Sequence, residues 1–191
     1  MKGSIMTKIT TPEATLSYEN LFEPSAPAGS VAEPQYSACL VFDKEADLSE
    51  LEKAVEDTGK LKWGEKFSGM KEADEIRVPF RKDRLTEKGY PPDSTYINVR
   101  SKQKPGIVST YAGEDGKPLI ITNRSEIYSG CLVRATLFCF AYDKAGNKGI
   151  SFSLNNLQKL ADGPRLDGRL KAEDDFEVLE SNPVHLEDVL G

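Results

Sequence analysis

Short runs in which apolar and polar residues alternate dominate the pattern along this chain, and such runs predict strands. We expect strands at 14–18, 36–42 and 95–101, a short extended segment at 76–80, and a hairpin of 131–142 and 148–157. Glycine, proline and polar residues fill the stretches between them, so 81–94 and 102–123 are predicted to be loops. The pattern indicates a mainly β protein of about seven short strands.

One segment has the period of an amphipathic helix. Leucine and valine residues form an apolar stripe through 47–58, Asp47 and Glu50 are spaced as in a capping box, and Gly59 is placed to end the helix. Residues 60–73 fit a second short helix, although two glycines interrupt it. Because strands and helices do not alternate regularly, a β-barrel or sandwich with an inserted helix is favoured over a doubly wound α/β fold.

The length and the distribution of polar residues predict one domain with appendages. We expect a flexible N-terminal lead over 1–13, a domain over 14–171 and an acidic tail over 172–191, and either Met1 or Met6 could be the native start. No apolar run approaches the ~20 residues that span a bilayer, so no membrane association is predicted.

The residue types that support catalysis are scarce. His185 is the only histidine and lies in the tail, which argues against a rigidly held Ser-His-Asp or Cys-His centre. Cys39, Cys131 and Cys139 lie in strand-like runs without metal-ligand spacing, so they are expected to be reduced and buried. We therefore predict no enzymatic activity, no metal site and no cofactor.

The net charge of −6 is the sum of larger opposing charges. Residues 1–75 carry 8 basic and 15 acidic groups, a net charge of −7. Residues 76–171 carry 17 basic and 9 acidic groups, a net charge of +8. Residues 172–191 carry 7 acidic groups and no lysine or arginine, a net charge of −7. A basic middle that contains aromatic residues suits an anionic polymer. A short acidic tail of similar magnitude suits a competitor for the same surface.

The strand at 95–101 provides the first candidate binding residues. Alternation places four polar or aromatic residues on one face, namely Tyr96, Asn98, Arg100 and Lys102, and Lys104 follows in the loop. An aromatic ring on which bases stack and cations that neutralise phosphates are the two requirements of single-stranded nucleic-acid binding. An ordinary solvated strand face that happens to contain a tyrosine is the alternative.

The predicted hairpin provides the second candidate. Arg134 is costly to bury unpaired, so its face of the strand, which also carries an aromatic ladder ending at Tyr142, is predicted to point outward. Lys148 follows the turn. The alternative is that both faces are covered and the rings belong to the core. The predicted DNA-binding residues are Tyr96, Arg100, Lys102, Lys104, Arg134, Tyr142 and Lys148.

The tail begins with Glu173, Asp174, Asp175 and Phe176 and continues with apolar residues among the acids. One interpretation is a disordered segment that keeps the protein soluble. The other, which the interleaved apolar residues favour, is a segment that docks on partner proteins.

Several short motifs occur in a specific order along the chain. They are Leu16-Ser17-Tyr18, Asn20-Leu21-Phe22-Glu23-Pro24, Tyr36-Ser37, Tyr128-Ser129-Gly130-Cys131, Val133-Arg134-Ala135, Gly146-Asn147-Lys148-Gly149-Ile150-Ser151, Leu154-Asn155-Asn156-Leu157-Gln158-Lys159 and Glu173-Asp174-Asp175-Phe176. Taken together, over residues 14–176, they resemble a family of bacteriophage single-stranded-DNA-binding proteins with an OB-type barrel and an acidic C-terminal tail.

This resemblance implies an OB-like five-stranded barrel with an inserted α-helix and extended loops. It also implies sequence-independent coating of single-stranded DNA during phage replication and recombination, in the cytoplasm of the infected bacterium and as a homodimer. The tail would shield the binding cleft and recruit replication proteins. Related tails end near an aromatic residue, whereas 15 residues follow Phe176 here, which leaves open which tail segment docks. The alternative function is a non-catalytic β-barrel adaptor that binds a protein through the same basic face.

Overall fold

Strands make up most of the regular structure in a computed structural model that describes residues 6–168. The strands are β1 (Lys8–Thr10), β2 (Ala14–Ser25), β3 (Gln35–Phe42), β4 (Thr95–Ser101), β5 (Gly106–Ala112), β6 (Pro118–Ile120), β7 (Leu132–Lys144) and β8 (Asn147–Ala161). The helices are α1 (Ser49–Trp63) and α2 (Lys66–Glu72), both between β3 and β4. The predicted tail residues Glu173, Asp174, Asp175 and Phe176 lie outside the described residues.

Five of the strands close into a barrel. β2, β3, β4, β8 and β7 are hydrogen-bonded neighbours in that order, and β7 pairs with β2 through Ala14–Val133 and Thr15–Leu132 to complete the ring. The β4–β8 pairing is parallel, whereas the other pairings around the ring are antiparallel. This arrangement confirms the prediction of a mainly β, OB-like five-stranded barrel with an inserted helix.

The barrel interior is filled by one face of each strand. Leu16, Leu40, Ile97, Leu137 and Phe152 come from the five barrel strands, and each is at most 1 % exposed. Burying one such side chain contributes ~1.5–3 kcal/mol relative to leaving it in water. Because side chains alternate along a strand, burying this set directs the intervening set to the outer surface of the barrel.

The prediction of a flexible lead over 1–13 is wrong for residues 8–10, which form β1. This strand pairs antiparallel with residues 136–138 of β7. Ile9 joins the core at 6 % exposure, and the Thr11 hydroxyl oxygen accepts a hydrogen bond from the Ala135 N–H at 3.0 Å. A three-residue strand contains too few positions for alternation to be recognised in the sequence.

The first helix begins and ends later than predicted. α1 starts at Ser49, whose N–H donates to the Asp47 carboxylate at 3.0 Å, and no side chain caps the helix. It continues through Gly59, where the ring of Phe67 from α2 crosses so closely that a Cβ would lie 2.3 Å from the ring. The helix ends before Gly64, whose φ of 62° is in the left-handed region. Gly59 therefore serves helix packing and does not end the helix.

Residues 102–123, predicted to be a loop, contain β5 and β6. β5 pairs in parallel with residues 156–158 of β8, beyond the point where β4 pairs with it, and β6 pairs antiparallel with β5. The two strands thus extend the sheet outside the barrel. Three glycines and two prolines in this stretch conceal the strands in the sequence, because these residues are typical of loops.

Three further observations concern residues 6–168. Cys39 and Cys131 are buried free thiols, and Cys139 is a half-buried one. Neither helix in this part of the chain is long and apolar enough to cross a membrane. Within the same residues, no three His, Cys, Asp or Glu side chains come together as they do around a metal ion.

Replacing Gly59 with alanine tests the close approach of the two helices. Alanine is the better helix former by ~1 kcal/mol, but overpacking a core costs ~1–3 kcal/mol. The methyl group would overlap the Phe67 ring, so we expect Gly59→Ala to lower the free energy of unfolding by about 1 kcal/mol, measured by urea denaturation.

Gly69 in α2 is the matched control, because a Cβ built there meets no atom within 4 Å. Gly69→Ala should leave the free energy of unfolding unchanged or raise it by up to ~1 kcal/mol. A Gly59→Ala protein as stable as the wild type would contradict the packing explanation.

Candidate nucleic-acid interface

A row of side chains outside the core crosses six strands of the sheet. In the order β2, β3, β4, β8, β7 and β1, successive cross-strand partners are Asn20, Ser37, Arg100, Ser153, Phe138 and Lys8. Neighbouring strands lie ~4.8 Å apart, so this outer row measures about 24 Å along the curved outer surface of the barrel. It offers hydrogen-bonding groups, two cations and one aromatic ring.

Arg100 lies near the middle of the outer row, as the alternation of β4 predicts. It is exposed, and its direct neighbours carry hydroxyl groups. Two further predicted cations follow β4. The Lys102 ammonium lies 3.0 Å from the Glu33 carboxylate, and the Lys104 ammonium lies 5.9 Å from the centre of the Phe22 ring. Of these three cations, Arg100 is the one best placed to bind an incoming phosphate.

The prediction that Tyr96 is exposed is wrong. Residues 81–94, which we call the strap, cross the outer face of β3 and β4 beside the outer row. Leu85 and Tyr90 of the strap pack against Val41 and Tyr96, and Tyr96 is only 2 % exposed. Alternation correctly places Tyr96 on the outer face, but the strap covers it, so its ring is not available for stacking on a base.

Hydrogen bonds fasten the strap at both ends. The Tyr90 hydroxyl donates to Ser17 Oγ at 3.0 Å and lies 3.4 Å from Cys39 Sγ. Arg81 and Tyr96 exchange two backbone hydrogen bonds of 2.9 and 3.0 Å. Burial raises the pKa of both the Tyr90 hydroxyl and the Cys39 thiol, which keeps the two groups neutral under the strap.

A lysine of the strap contacts three tyrosine rings. The Lys88 ammonium lies 5.0 Å from the ring centre of Tyr18, 5.5 Å from that of Tyr96 and 5.9 Å from that of Tyr90. Cations within ~6 Å of an aromatic ring are attracted by its quadrupole. Lys88 therefore links the buried cluster under the strap to the exposed Tyr18 on β2.

The remaining predicted residues lie away from the outer row. Positions along β8 give the spacing, because each of three predicted residues has a cross-strand partner there. The partners are Gly149 for Tyr142, Ser153 for Arg100 and Gln158 for Arg134. A strand rises ~3.3 Å per residue, so Tyr142 is ~13 Å from the outer row on one side and Arg134 is ~17 Å from it on the other. The structure does not bring the seven predicted residues into one cluster.

Local contacts explain the positions of these residues. Arg134 Nε donates to Gln158 Oε1 at 2.7 Å and remains exposed. Tyr142 is half-buried because its ring lies across Gly149, where a Cβ would be 2.4 Å from the hydroxyl oxygen. Lys148 is half-buried beside it, and its carbonyl accepts the Arg77 N–H at 3.0 Å. A role of Arg134, Tyr142 and Lys148 in DNA binding stays a prediction.

Sequence reasoning missed Tyr18, Phe22 and Lys88. Phe22 lies in a motif that supported the family resemblance, but its contact with Lys104 depends on the fold. Tyr18 and Lys88 are far apart in sequence, so their contact also becomes visible only in three dimensions.

The last described residues are held against the segment before β7. The Tyr128 hydroxyl donates to Gly163 O at 3.0 Å, and its oxygen also lies 3.1 Å from Asp162 Oδ1. The Arg165 guanidinium lies 4.5 Å from the centre of the Tyr128 ring. Gly130 and Gly163 cross so closely that a Cβ on Gly163 would lie 2.2 Å from Gly130 O. We call these contacts the C-terminal clasp.

The C-terminal clasp lies beside β2. Ser129 accepts the Tyr18 N–H through its hydroxyl oxygen at 3.1 Å, and its carbonyl accepts the Leu166 N–H at 2.9 Å. The chain therefore passes close to Tyr18 shortly before the described residues end.

The sequence matches a known family over most of its length. The model of the family described as the single-stranded-DNA-binding protein of Enterobacter phage Enc34 matches residues 7–188. A curated relative, protein p50 of Acyrthosiphon pisum secondary endosymbiont phage 1, is 28 % identical over 171 residues, which cover 84 % of this chain and 87 % of that protein.

Solved structures of phage proteins have a similar fold. The single-stranded DNA-binding protein of bacteriophage Enc34 in complex with single-stranded DNA aligns with a TM-score of 0.62 and 19 % identity, covering 83 % of this chain and 88 % of that one. The single-stranded DNA binding protein gp2.5 of bacteriophage T7 aligns with a TM-score of 0.59 and 13 % identity, covering 94 % and 98 %. At these identities the likeness establishes the fold.

Because the Tyr128 hydroxyl is buried in the C-terminal clasp, we expect the protein to lose stability at high pH. Burial raises the pKa of the Tyr128 hydroxyl to about 12, whereas an unfolded tyrosine titrates near pH ~10. Between these values the unfolded chain releases a proton that the folded chain keeps, so the free energy of unfolding falls as the pH rises. Tyr128→Phe should show a smaller fall than the wild type between about pH 9 and about pH 11.5 in urea denaturation.

The free energy of unfolding of Tyr128→Phe should still fall to some extent as the pH rises, because burial also raises the pKa of Tyr90. Tyr111→Phe, which removes the hydroxyl of an exposed tyrosine, is the control and should behave as the wild type does. Equal pH dependence in Tyr128→Phe and the wild type would show that Tyr128 does not carry the effect.

Proposed function

Because the chain belongs to the family of the single-stranded-DNA-binding protein of Enterobacter phage Enc34, we propose that it binds single-stranded DNA through the outer face of its barrel. The observation that carries this proposal is the outer row, a line of mostly polar side chains in which the cations Arg100, near its middle, and Lys8 are exposed. Such a surface matches the spaced negative charges of a nucleic-acid backbone.

The chemistry of the outer row supports binding without base specificity. Arg100 and Lys8 supply cations for phosphates, and Asn20, Ser37 and Ser153 supply small groups that donate and accept hydrogen bonds. Phosphate contacts and stacking on aromatic rings act on every nucleotide alike, because all four share the same backbone and each base has a π-face.

The biological setting proposed here is phage DNA replication and recombination in the cytoplasm of the infected bacterium. The support is that the family model and the similar solved structures belong to phage single-stranded-DNA-binding proteins. The proposed role is binding without catalysis, because the family and the similar solved structures are described by their binding of single-stranded DNA. We extend the proposal to a homodimer, which sedimentation equilibrium would measure.

The acidic tail is proposed to compete with DNA and to recruit replication proteins. Two observations support a competing role. Residues 172–191 carry 7 acidic groups and no lysine or arginine, and the C-terminal clasp holds residues 162–166, which precede this segment in the chain, near Tyr18. A negatively charged segment held near a cationic surface is attracted to it.

Electrophoretic mobility shift with single-stranded and double-stranded oligonucleotides of equal length, at two salt concentrations, tests the proposed function. Preferential retardation of the single strand, weaker at the higher salt, is expected. A protein that shifts neither form would instead support the adaptor that binds a protein through the same face.

Arg100→Ala tests whether the outer row contacts phosphates. For single strands, the slope of log affinity against log salt changes by about 0.7 for each phosphate contact. We expect this variant to bind oligo-dT more weakly and with a slope shallower by about 0.7, measured by fluorescence anisotropy across a salt series.

Lys66→Ala at the start of α2 removes an exposed cation from a helix rather than from the outer face and serves as the matched control. It should keep the wild-type slope. If the two variants have the same slope as the wild type, the phosphate-binding surface lies elsewhere.

Deleting residues 172–191 tests the competing role of the tail. The truncated protein should bind oligo-dT more tightly than the full chain, and the gain should shrink as salt rises because screening weakens the competition. A full-length variant with the 7 acidic residues of this segment changed to their amides keeps the length and should show the same gain. Weaker binding after truncation would contradict the competitor model.

A further inference from the structure

Tyr18 has a backbone conformation that is rare for an aromatic residue. Its φ of 45° lies in the left-handed region, where a side chain is disfavoured and glycine is usual. The cause is a bulge in β2. Ser17 pairs with Cys39 and Asn20 pairs with Ser37, so β2 has one more residue than β3 between these two pairs. The fold thus keeps a tyrosine where a glycine would fit with less strain.

The surrounding hydrogen bonds hold this conformation in place. The Tyr18 N–H donates to Ser129 Oγ at 3.1 Å, and that hydroxyl donates to the Glu19 carboxylate at 2.7 Å. On the other side of the bulge, Asn20 Nδ2 donates to Ser37 Oγ at 3.3 Å and restores the register. Strained residues that are fixed by their surroundings in this way concentrate at functional sites.

The bulge leaves the Tyr18 side chain largely open to solvent. Tyr18 is 61 % exposed, whereas the strap buries Tyr90 and Tyr96. The ammonium of Lys88 lies 5.0 Å from the Tyr18 ring centre and occupies one side of the ring. An exposed ring with a cation on one side leaves the other side for a flat partner.

The location of Tyr18 indicates what that partner is. The residue lies on β2 between Ser17 and Asn20, and Asn20 is the first member of the outer row. Arg100 lies two strands from Asn20, at about 10 Å across the sheet. A strand whose phosphates contact Arg100 could therefore place a base over the Tyr18 ring, and Lys88 beside the ring adds a cation for its backbone.

We propose that Tyr18 is a base-stacking residue of this protein and that Lys88 is the residue that positions its ring. The inference rests on the proposed binding of single-stranded DNA and adds the residue that contacts a base. Stacking through the ring requires neither the hydroxyl nor a particular base, so the contact is sequence-independent.

The test compares three variants at this position with a control. Tyr18→Ala removes the ring, Tyr18→Phe keeps it, and Tyr18→Gly removes it while relieving the strained backbone. Tyr111→Ala removes a tyrosine that is 74 % exposed on β5, outside the barrel, and is the matched control. Affinity for fluorescent oligo-dT is measured by anisotropy across a salt series, and the stability of each variant is measured by urea denaturation.

We expect Tyr18→Ala and Tyr18→Gly to weaken binding by about 5- to 150-fold, the range of one base–aromatic stack. Tyr18→Phe and Tyr111→Ala should bind within about twofold of the wild type, since the first keeps the ring and the second leaves the interface unchanged. The salt slope should stay at its wild-type value in the Tyr18 variants, because stacking neutralises no phosphate.

Tyr18→Gly separates binding from folding. It should unfold no more easily than the wild type, because glycine adopts the φ of this position freely, and yet it should bind as weakly as Tyr18→Ala. Ultraviolet cross-linking of oligo-dT followed by mass spectrometry should place an adduct at Tyr18 in the wild type and in Lys66→Ala.

The possible failures are distinguishable. A wild-type protein that does not bind oligo-dT overturns the proposed function and this inference with it. A wild-type protein that binds, together with Tyr18→Ala and Tyr18→Gly variants of equal affinity, overturns the inference and leaves the proposed function standing. Loss of affinity in Tyr18→Phe equal to that in Tyr18→Ala would also overturn it, because the hydroxyl and not the ring would then be responsible.

Discussion

Closure of the sheet between β2 and β7 is the constraint on which the other features depend. An open sheet of five strands would have two edges and could flatten or slip, whereas a closed one fixes the register of every barrel strand. With the apolar side chains of Leu16, Ile97 and Phe152 directed into the barrel, the intervening residues must face outward. The outer row lies on this outward-facing side of the five barrel strands, and Lys8 of β1 extends it beyond the ring.

Much of the barrel follows from the sequence because its signals are local. Alternation is long enough in β4 and in the β7–β8 hairpin to identify the strands, and it places Arg100 on the outer face. The same rule fails at Tyr18, because the bulge breaks the period of two, so that Ser17 and Asn20 both face outward although they are three positions apart. It also fails to reveal the burial of Tyr96, since the strap that covers it has no periodic pattern.

The charges of the basic middle region show why composition alone is insufficient to locate a site. Several cations near the outer face already pair with carboxylates, as Arg81–Asp83, Arg84–Glu87 and Lys102–Glu33 do. Exposed pairs of this kind contribute little to stability, ~0–1 kcal/mol, but they reduce the field available to a ligand. Among residues 6–168, Arg100 and Lys88 form no such ion pair, so the positive field of each remains available to an anion.

The Cys39 thiol, which the strap covers, can report on opening of the strap. Cys39 lies on the outer face between Ser17 and Asn98, and the strap leaves it 2 % exposed. Because burial raises the pKa of its thiol, the reactive thiolate is scarce while the strap is closed. A thiol reagent can modify Cys39 only during transient opening, so the rate of modification measures the population of molecules in which the strap has lifted. The same rate, followed with and without a bound strand, would tell whether the ligand holds the strap against the barrel or displaces it.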